Sequence, residues 1–288
     1  MQNFNPMLYP EKKSASGFLH IFFLVILACV VYLPQANAQT EWRNWNNLNA
    51  NASVTRKLDI SASHLRSYVI TGAFNNNFNQ TTLQADYDLT KRISIRGAAL
   101  LTTFPGQTNQ TIRLITRFSY TKRIFKKVNW TSGLQLEYHS KNETRYRSRA
   151  ILVTRFATRK RVTPLRLSPS VSYLLFYNIG GDSVRYFDQT GNVIARNTPD
   201  GFHRGRLFIN LNSKITNHLS MSIYYMRQSE FNLFTPATRK MNVINPNTGR
   251  ISRPFDNYNV AGVSLQYNFK TYKKKKKDND QKVRPFED

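Results

Sequence analysis

Beyond Gln39, apolar and polar residues alternate with a period of two, and no apolar run there is long enough to cross a membrane as a helix. That pattern demands extended strands with two chemically different faces. Val128, Trp130, Ser132, Leu134, Leu136 and Tyr138 form one face of a segment whose other face is Asn129, Thr131, Gly133, Gln135, Glu137 and His139. In the next segment Tyr146, Ala150, Leu152 and Phe156 oppose Arg145, Arg147, Arg149 and Arg155. The same alternation runs through Thr81 to Tyr87, Ile93 to Leu101, Ile112 to Tyr120 and Val263 to Phe269. Segments of about 11 to 14 residues exceed the ~5–6 of an ordinary strand and suit tilted strands that need ~9–11 residues in hydrocarbon. Trp130, Tyr138, Tyr146, Phe156, Tyr87, Phe118 and Tyr120 lie toward the ends of apolar faces, where interfacial aromatic girdles would sit. In lipid, only a closed barrel satisfies every strand edge.

A second regularity sets the spacing. Thr followed by basic residues recurs as Thr55-Arg56-Lys57, Thr90-Lys91-Arg92, Thr121-Lys122-Arg123 and Thr158-Arg159-Lys160, which reads as a series of tight turns with one hairpin per interval. Thr216-Asn217-His218 and Thr271-Tyr272-Lys273 continue the series at wider intervals. Those intervals contain the two long inserts, Asn178 to Gly201 and Phe231 to Asn257, which read as loops projecting beyond one end of the barrel. Ten strands fall between Leu58 and Phe269, preceded by a strand-like lead-in from Trp42 to Val54. Even strand numbers are usual for such barrels. The lead-in therefore either closes a twelve-stranded barrel or lies outside a ten-stranded one. Pro169 cannot donate a ladder hydrogen bond and suggests a bulge or a later strand start.

The fold class expected is all-β: a single antiparallel up-and-down transmembrane β-barrel of about 10 to 12 strands. The divisions are a cleaved signal peptide over 1–38, a lead-in strand over 39–57, the barrel over 58–270 and a disordered Lys-rich tail over 271–288. The leader rests on Lys12 and Lys13, an uncharged run from Phe18 to Leu33 and the A-x-A site Ala36-Asn37-Ala38, which would leave Gln39 first. An uncleaved anchor is the first rival. The second is a lipoprotein box at Ile26-Leu27-Ala28-Cys29, although the chain stays apolar beyond it through Leu33. The tail repels itself through the run Lys273 to Lys277.

Composition narrows the chemistry. The chain carries 42 Lys and Arg against 16 Asp and Glu, a formal net charge of +26, and one cysteine, so a disulfide within the chain and a cysteine-rich metal cluster are excluded. If the apolar residues of each strand face lipid, the arginines face inward, because a charge on the lipid side costs about 2–4 kcal/mol at mid-bilayer. The lumen-lining candidates are Arg113, Arg117, Glu137, Arg145, Arg147, Arg149, Arg155, Arg204 and Arg206. Antiparallel pairing about Ser140 to Glu143 would set Glu137 across from Arg145 or Arg147. Two uses of this stripe are open: an internal hydrogen-bonded network that fills and closes the barrel, or a passage selective for anions.

The last strand, Val263-x-Leu265-x-Tyr267-x-Phe269, resembles the assembly signal of Gram-negative outer-membrane barrels. Three stretches are similar to a family of small outer-membrane barrels known only as a domain of unknown function. They are Glu41-Trp42-Arg43-Asn44-Trp45, Leu136-Glu137-Tyr138 followed by Arg145-Tyr146-Arg147-Ser148-Arg149, and Met226-Arg227-Gln228-Ser229-Glu230-Phe231-Asn232. The resemblance spans roughly Gln39 to Phe269. It implies a fold and a location without an established activity, and the extension after Phe269 departs from a strictly C-terminal signal.

The resulting expectation is an outer-membrane barrel of structural or passive-transport type, porin-like, with an Arg-lined lumen that would favour anions and its tail in the periplasm. A soluble exported β-sheet binding protein is the alternative, and an outer-membrane lipid hydrolase a more distant one. No catalytic site is expected. His139 and Ser140 are adjacent and point to opposite faces, and His64, His203 and His218 sit in no recognisable motif. Asp182, Asp188 and Asp200 lack calcium-loop spacing, so neither a metal nor a cofactor is expected. The partners implied are outer-membrane lipid, lipopolysaccharide and the barrel-assembly machinery. Nucleic acid is not among them, because the arginines alternate with lipid-type residues on an exported chain. Oligomeric state is not legible.

Overall fold

The computed structural model describes residues 41–71, 73–125, 127–158 and 166–269. The expected signal peptide, the turn residues Arg159 and Lys160 and the Lys-rich tail lie outside the described residues. The strands in chain order are β1 (Glu41–Ser53), β2 (Leu58–Ile70), β3 (Phe74–Asp88), β4 (Ile93–Thr103), β5 (Thr111–Phe125), β6 (Val128–His139), β7 (Ser148–Thr158), β8 (Leu167–Ile179), β9 (Val184–Phe187), β10 (Val193–Asn197), β11 (Gly201–Lys214), β12 (Leu219–Leu233), β13 (Val243–Ile244), β14 (Ile251–Ser252) and β15 (Tyr258–Phe269). The only helical element among the described residues is a single 3-10 turn, Ala237–Arg239.

Eleven of these strands close into one cylinder in the order β1-β15-β12-β11-β8-β7-β6-β5-β4-β3-β2. Every neighbouring pair is antiparallel except the closing one, where β1 runs parallel to β15 with Glu41 opposite Tyr258 and Ala52 opposite Phe269. The lead-in is therefore a wall strand, and the barrel is neither ten- nor twelve-stranded. Geometry explains the exception: in a meander with an odd number of strands, the first and last point the same way, so closure must be parallel there. Pro169 stays within β8 opposite Leu211, and its carbonyl accepts from the Thr158 hydroxyl at 3.4 Å.

The Thr-led turns have a local cause. At Thr55, Thr90 and Thr216 the hydroxyl accepts from the backbone amides two and three residues on, at 3.0–3.2 Å for the first, 3.0–3.1 Å for the second and 2.9–3.2 Å for the third. Each hydroxyl thus satisfies amides that the reversing chain would leave unpaired. Thr121-Lys122-Arg123 departs from the expected series: it lies inside β5, with Thr121 bonded across the ladder to Thr131 at 2.9 Å. A Thr beside basic residues is also an ordinary strand segment, and here the ladder continues past it.

At the opposite end the connections lengthen, and the two inserts form β9–β10 and β13–β14 hairpins. Asp188 organises the first. Its carboxylate accepts from the Thr190 hydroxyl and the Asn192 amide, both at 2.8 Å, and these bonds hold it below the usual carboxylate pKa. The inserts bond to each other, Tyr186 to the Lys240 carbonyl at 3.1 Å and Asn197 to that of Thr238 at 3.3 Å. Burial pushes the Tyr186 phenol up to about 12, with Asp200 adding to the effect and Arg239 opposing it.

The two faces of the wall separate as the period requires. Leu83, Leu114, Leu134, Leu136, Leu152 and Ile223 project outward as an aliphatic band. Toward the tight turns it is bordered by Tyr87, Tyr120, Phe156, Tyr267 and Phe269, and toward the long connections by Trp42 and Tyr138. Val263, Leu265, Tyr267 and Phe269, the residues resembling an assembly signal, all face out on β15. The band is interrupted near the closing seam. There the exposed outer face of β2 carries His64 and Arg66, and on β1 Asn46 donates to Asn44 at 2.7 Å.

Candidate functional site: the lumen

The inward face of the cylinder holds both apolar filling and arginine, and they are unevenly distributed along its axis. Trp45, Met226, Tyr258 and Val260 form one buried cluster, with Leu65, Phe78, Phe208 and Tyr224 against it. Ile151, Val153 and Phe176 form a second, with Leu174. Gly262 sits inward on β15 because the Tyr224 ring lies across it and a Cβ would overlap that ring. The lumen is thus more apolar than an arginine stripe alone suggests. On β7 the inward series is Arg149, Ile151, Val153, Arg155, two cations separated by two buried aliphatics.

Above this filling, toward the long connections, lie two ion-paired carboxylates. Glu137 accepts from Arg149 through both Nε, at 2.9 Å, and Nη2, and from Gln135 Nε2 at 2.6 Å. His139 Nε2 lies 3.4 Å and Arg113 Nη1 3.8 Å from the same carboxylate. Glu230 accepts from Arg204 through Nε, at 2.9 Å, and Nη2, while its other oxygen accepts the Asp256 backbone amide at 2.8 Å. Arg206 is held by neutral acceptors, Gln228 at 2.8 Å and the Tyr258 hydroxyl at 3.3 Å. The guanidinium groups of Arg149, Arg204 and Arg206 surround the Phe176 ring at 5.2, 5.9 and 5.3 Å from its centroid. Charge-assisted forks with shared aromatic faces hold this layer together.

The connections fold over that layer. Tyr146, expected on the outer face, is instead buried over the lumen mouth. Its hydroxyl accepts from Arg149 Nη1 at 3.0 Å, and its ring packs edge-on against His139 at 4.9 Å. Arg145 and Arg147 are not on a strand at all, because β7 begins only at Ser148. Arg145 reaches the Pro254 carbonyl at 2.9 Å and approaches Glu230 at 3.8 Å, whereas Arg147 is exposed. Glu137 consequently pairs across the ladder with Arg149. Gly181, at φ 107°, lets the first insert approach this connection so closely that a Cβ would stand 2.5 Å from the Arg145 carbonyl oxygen. Arg43, not singled out from sequence, extends the layer: it pairs with Glu41 and, at 3.0 Å, with Asp256, and lies 3.7 Å over the Tyr258 ring.

Toward the tight turns the lumen is lined by Asn, Ser, Thr and Gln with three further arginines. Arg113, Arg117, Glu137, Arg149, Arg155, Arg204 and Arg206 all point inward, but Arg117 and Arg155 belong to this second region together with Arg96. Arg96 pairs with Asp86 at 2.6 Å, and Arg155 donates to Ser170 at 3.3 Å. The four histidines of the described residues lie apart: His64 outside bonded to Thr81, His139 in the ion-paired layer, His203 buried against the Phe231 carbonyl, and His218 bonded to the Asn268 carbonyl. A separate pocket of about 250 Å³ opens between the inserts beside Tyr186, Ile194, Met241 and Val243.

The sequence profile of a family described as a protein of unknown function (DUF2490) matches residues 42–235, about two thirds of the chain. It takes in nearly all of the three stretches on which the resemblance rests. No curated protein matches the chain.

Proposed function

We propose, from the premise that the chain belongs to the DUF2490 family of proteins of unknown function, that it is a non-catalytic outer-membrane β-barrel of structural type whose lumen is closed at the long-connection end. One observation carries the closure: Arg149 and Arg204, each paired with a carboxylate on the neighbouring strand, Glu137 and Glu230, with side chains at most 6% exposed, converge on the Phe176 and Tyr146 rings above two apolar clusters. A solute crossing the barrel would have to break buried pairs, and leaving such a charge uncompensated costs about 3–5 kcal/mol. The membrane assignment is supported by the outward aliphatic band with aromatic residues at both borders, which matches what hydrocarbon and its interfaces select. In that setting the tight turns and the tail face the periplasm and the inserts face outward.

Planar-bilayer recording tests the closure. The purified barrel should give no steady ion current, while Glu137→Gln or Glu230→Gln should produce openings that favour anions, since each removes a carboxylate from an arginine-rich lumen. A steady wild-type current, or cation preference in the variants, would refute the closed-lumen reading. Recovery of the protein in soluble form without detergent would remove the membrane assignment and revive the soluble binding protein.

A further inference from the structure

Below the closed layer the arginines have fewer partners than they need. Arg96 and Arg117 stand directly opposite each other on adjacent strands, β4 and β5, both facing the lumen. Like charges at directly opposed ladder positions repel, and sheets ordinarily avoid them. Arg155, on β7, is close enough to act electrostatically on both. The carboxylate that reaches them is Asp86, committed to Arg96 at 2.6 Å and also receiving Gln84 Nε2 at 2.5 Å, while Asp59 faces Asp86 from β2, on the side away from Arg96. Arg155 contacts only the Ser170 hydroxyl at 3.3 Å among its described hydrogen bonds. The Nε of Arg117 is buried and has no hydrogen-bond acceptor among the described residues. The cluster is nevertheless reachable, since Arg155 is exposed and Arg96 and Asp86 keep 37% and 31% of their side-chain surface.

We propose that Arg96, Arg117 and Arg155 form a binding site for a soluble phosphate-type oxyanion that enters from the tight-turn end of the lumen. Three guanidinium groups outnumber the carboxylates on this face, Asp86 and, one strand further, Asp59, and leave a positive surplus that an oxyanion would neutralise. The planar donor forks suit a tetrahedral oxyanion better than a spherical ion, because each fork offers two parallel N–H groups to two oxygens. An anion between Arg96 and Arg117 would turn their repulsion into a bridge and give the Arg117 Nε its missing acceptor. The site lies inside the cylinder, so a lipid headgroup in the surrounding bilayer does not reach it. It rests on the closed-lumen reading only for its direction of access.

Calorimetric titration of the folded, detergent-solubilised barrel with inorganic phosphate tests this, with heat-modifiable gel migration confirming that each variant is folded. Saturable phosphate binding is expected, resisting displacement by chloride at equal ionic strength. Arg117→Gln should weaken it at least tenfold, whereas Arg185→Gln, exposed on β9 in the first insert, should leave it unchanged. Asp86→Asn, which frees Arg96, should tighten binding several-fold, so the test does not depend on Arg117→Gln folding. Absence of saturable binding, displacement by chloride, or wild-type affinity in Arg117→Gln would overturn the site. The bilayer recordings are separate: a conducting barrel that binds phosphate through Arg117 loses the closed lumen and keeps the site, and a silent barrel that binds none loses only the site.

Discussion

At the long-connection end Arg149 and Glu137 keep 2% and 4% of their side-chain surface exposed, whereas at the tight-turn end Arg96 and Asp86 keep 37% and 31%. Both pairs are cross-strand neighbours on the inward face, so ladder geometry does not distinguish them. Their surroundings do. The first pair lies above Ile151, Val153 and Phe176 and beneath Tyr146, and it has lost water on both sides. The second pair is lined by polar residues and stays wet. Burial makes each cation at the long-connection end depend on a specific acceptor, while at the other end solvent shares that role and leaves arginines available to a ligand.

The most severe test of this contrast is Glu137→Gln, which strands Arg149 and Arg113 in a dry layer. It should lower stability by about 3–5 kcal/mol in urea titrations followed by tryptophan fluorescence. Glu137→Leu combined with Arg149→Met should recover most of that loss, because an apolar pair of similar volume needs no counter-charge. Failure to recover would mean that the pair is not isolated from its neighbours. A smaller effect is expected at the tight turns, where local bonds set the chain reversal. Thr90→Ala removes one acceptor from two amides and should cost about 1 kcal/mol in the same titration. The smallest change is expected for Asp86→Asn, below about 1 kcal/mol, as for a partly solvated pair. A loss there comparable to that of Glu137→Gln would erase the distinction between the two ends.

Much of the wall was legible because strand parity is a local property. Arg113, Arg117, Glu137, Arg149, Arg155, Arg204 and Arg206 point inward as alternation requires, and Val263 to Phe269 present their apolar side outward. Parity failed where the strand stopped. Arg145, Arg147 and Tyr146 continue the alternating pattern in sequence, but they lie in a connection that folds over the lumen mouth. There it packs against Gly181 and bonds to the Pro254 carbonyl, both far away along the chain. Arg96 was overlooked because its own segment, Ile93 to Leu101, shows one charge among small residues. Only the cross-strand register reveals that Arg117 stands beside it.

By itself, then, the order of residues determined that this chain forms long two-faced strands joined by Thr-capped turns, since both depend on neighbours one to three positions apart. It also determined which side of each strand bears charge. The strand count, the parallel seam between β1 and β15 and the partition of the lumen into a dry, paired layer and a wet, cation-rich region were decided by tertiary structure. Closure couples residues more than 200 positions apart, and whether an inward arginine is matched or spare depends on which distant strand and loop meet it.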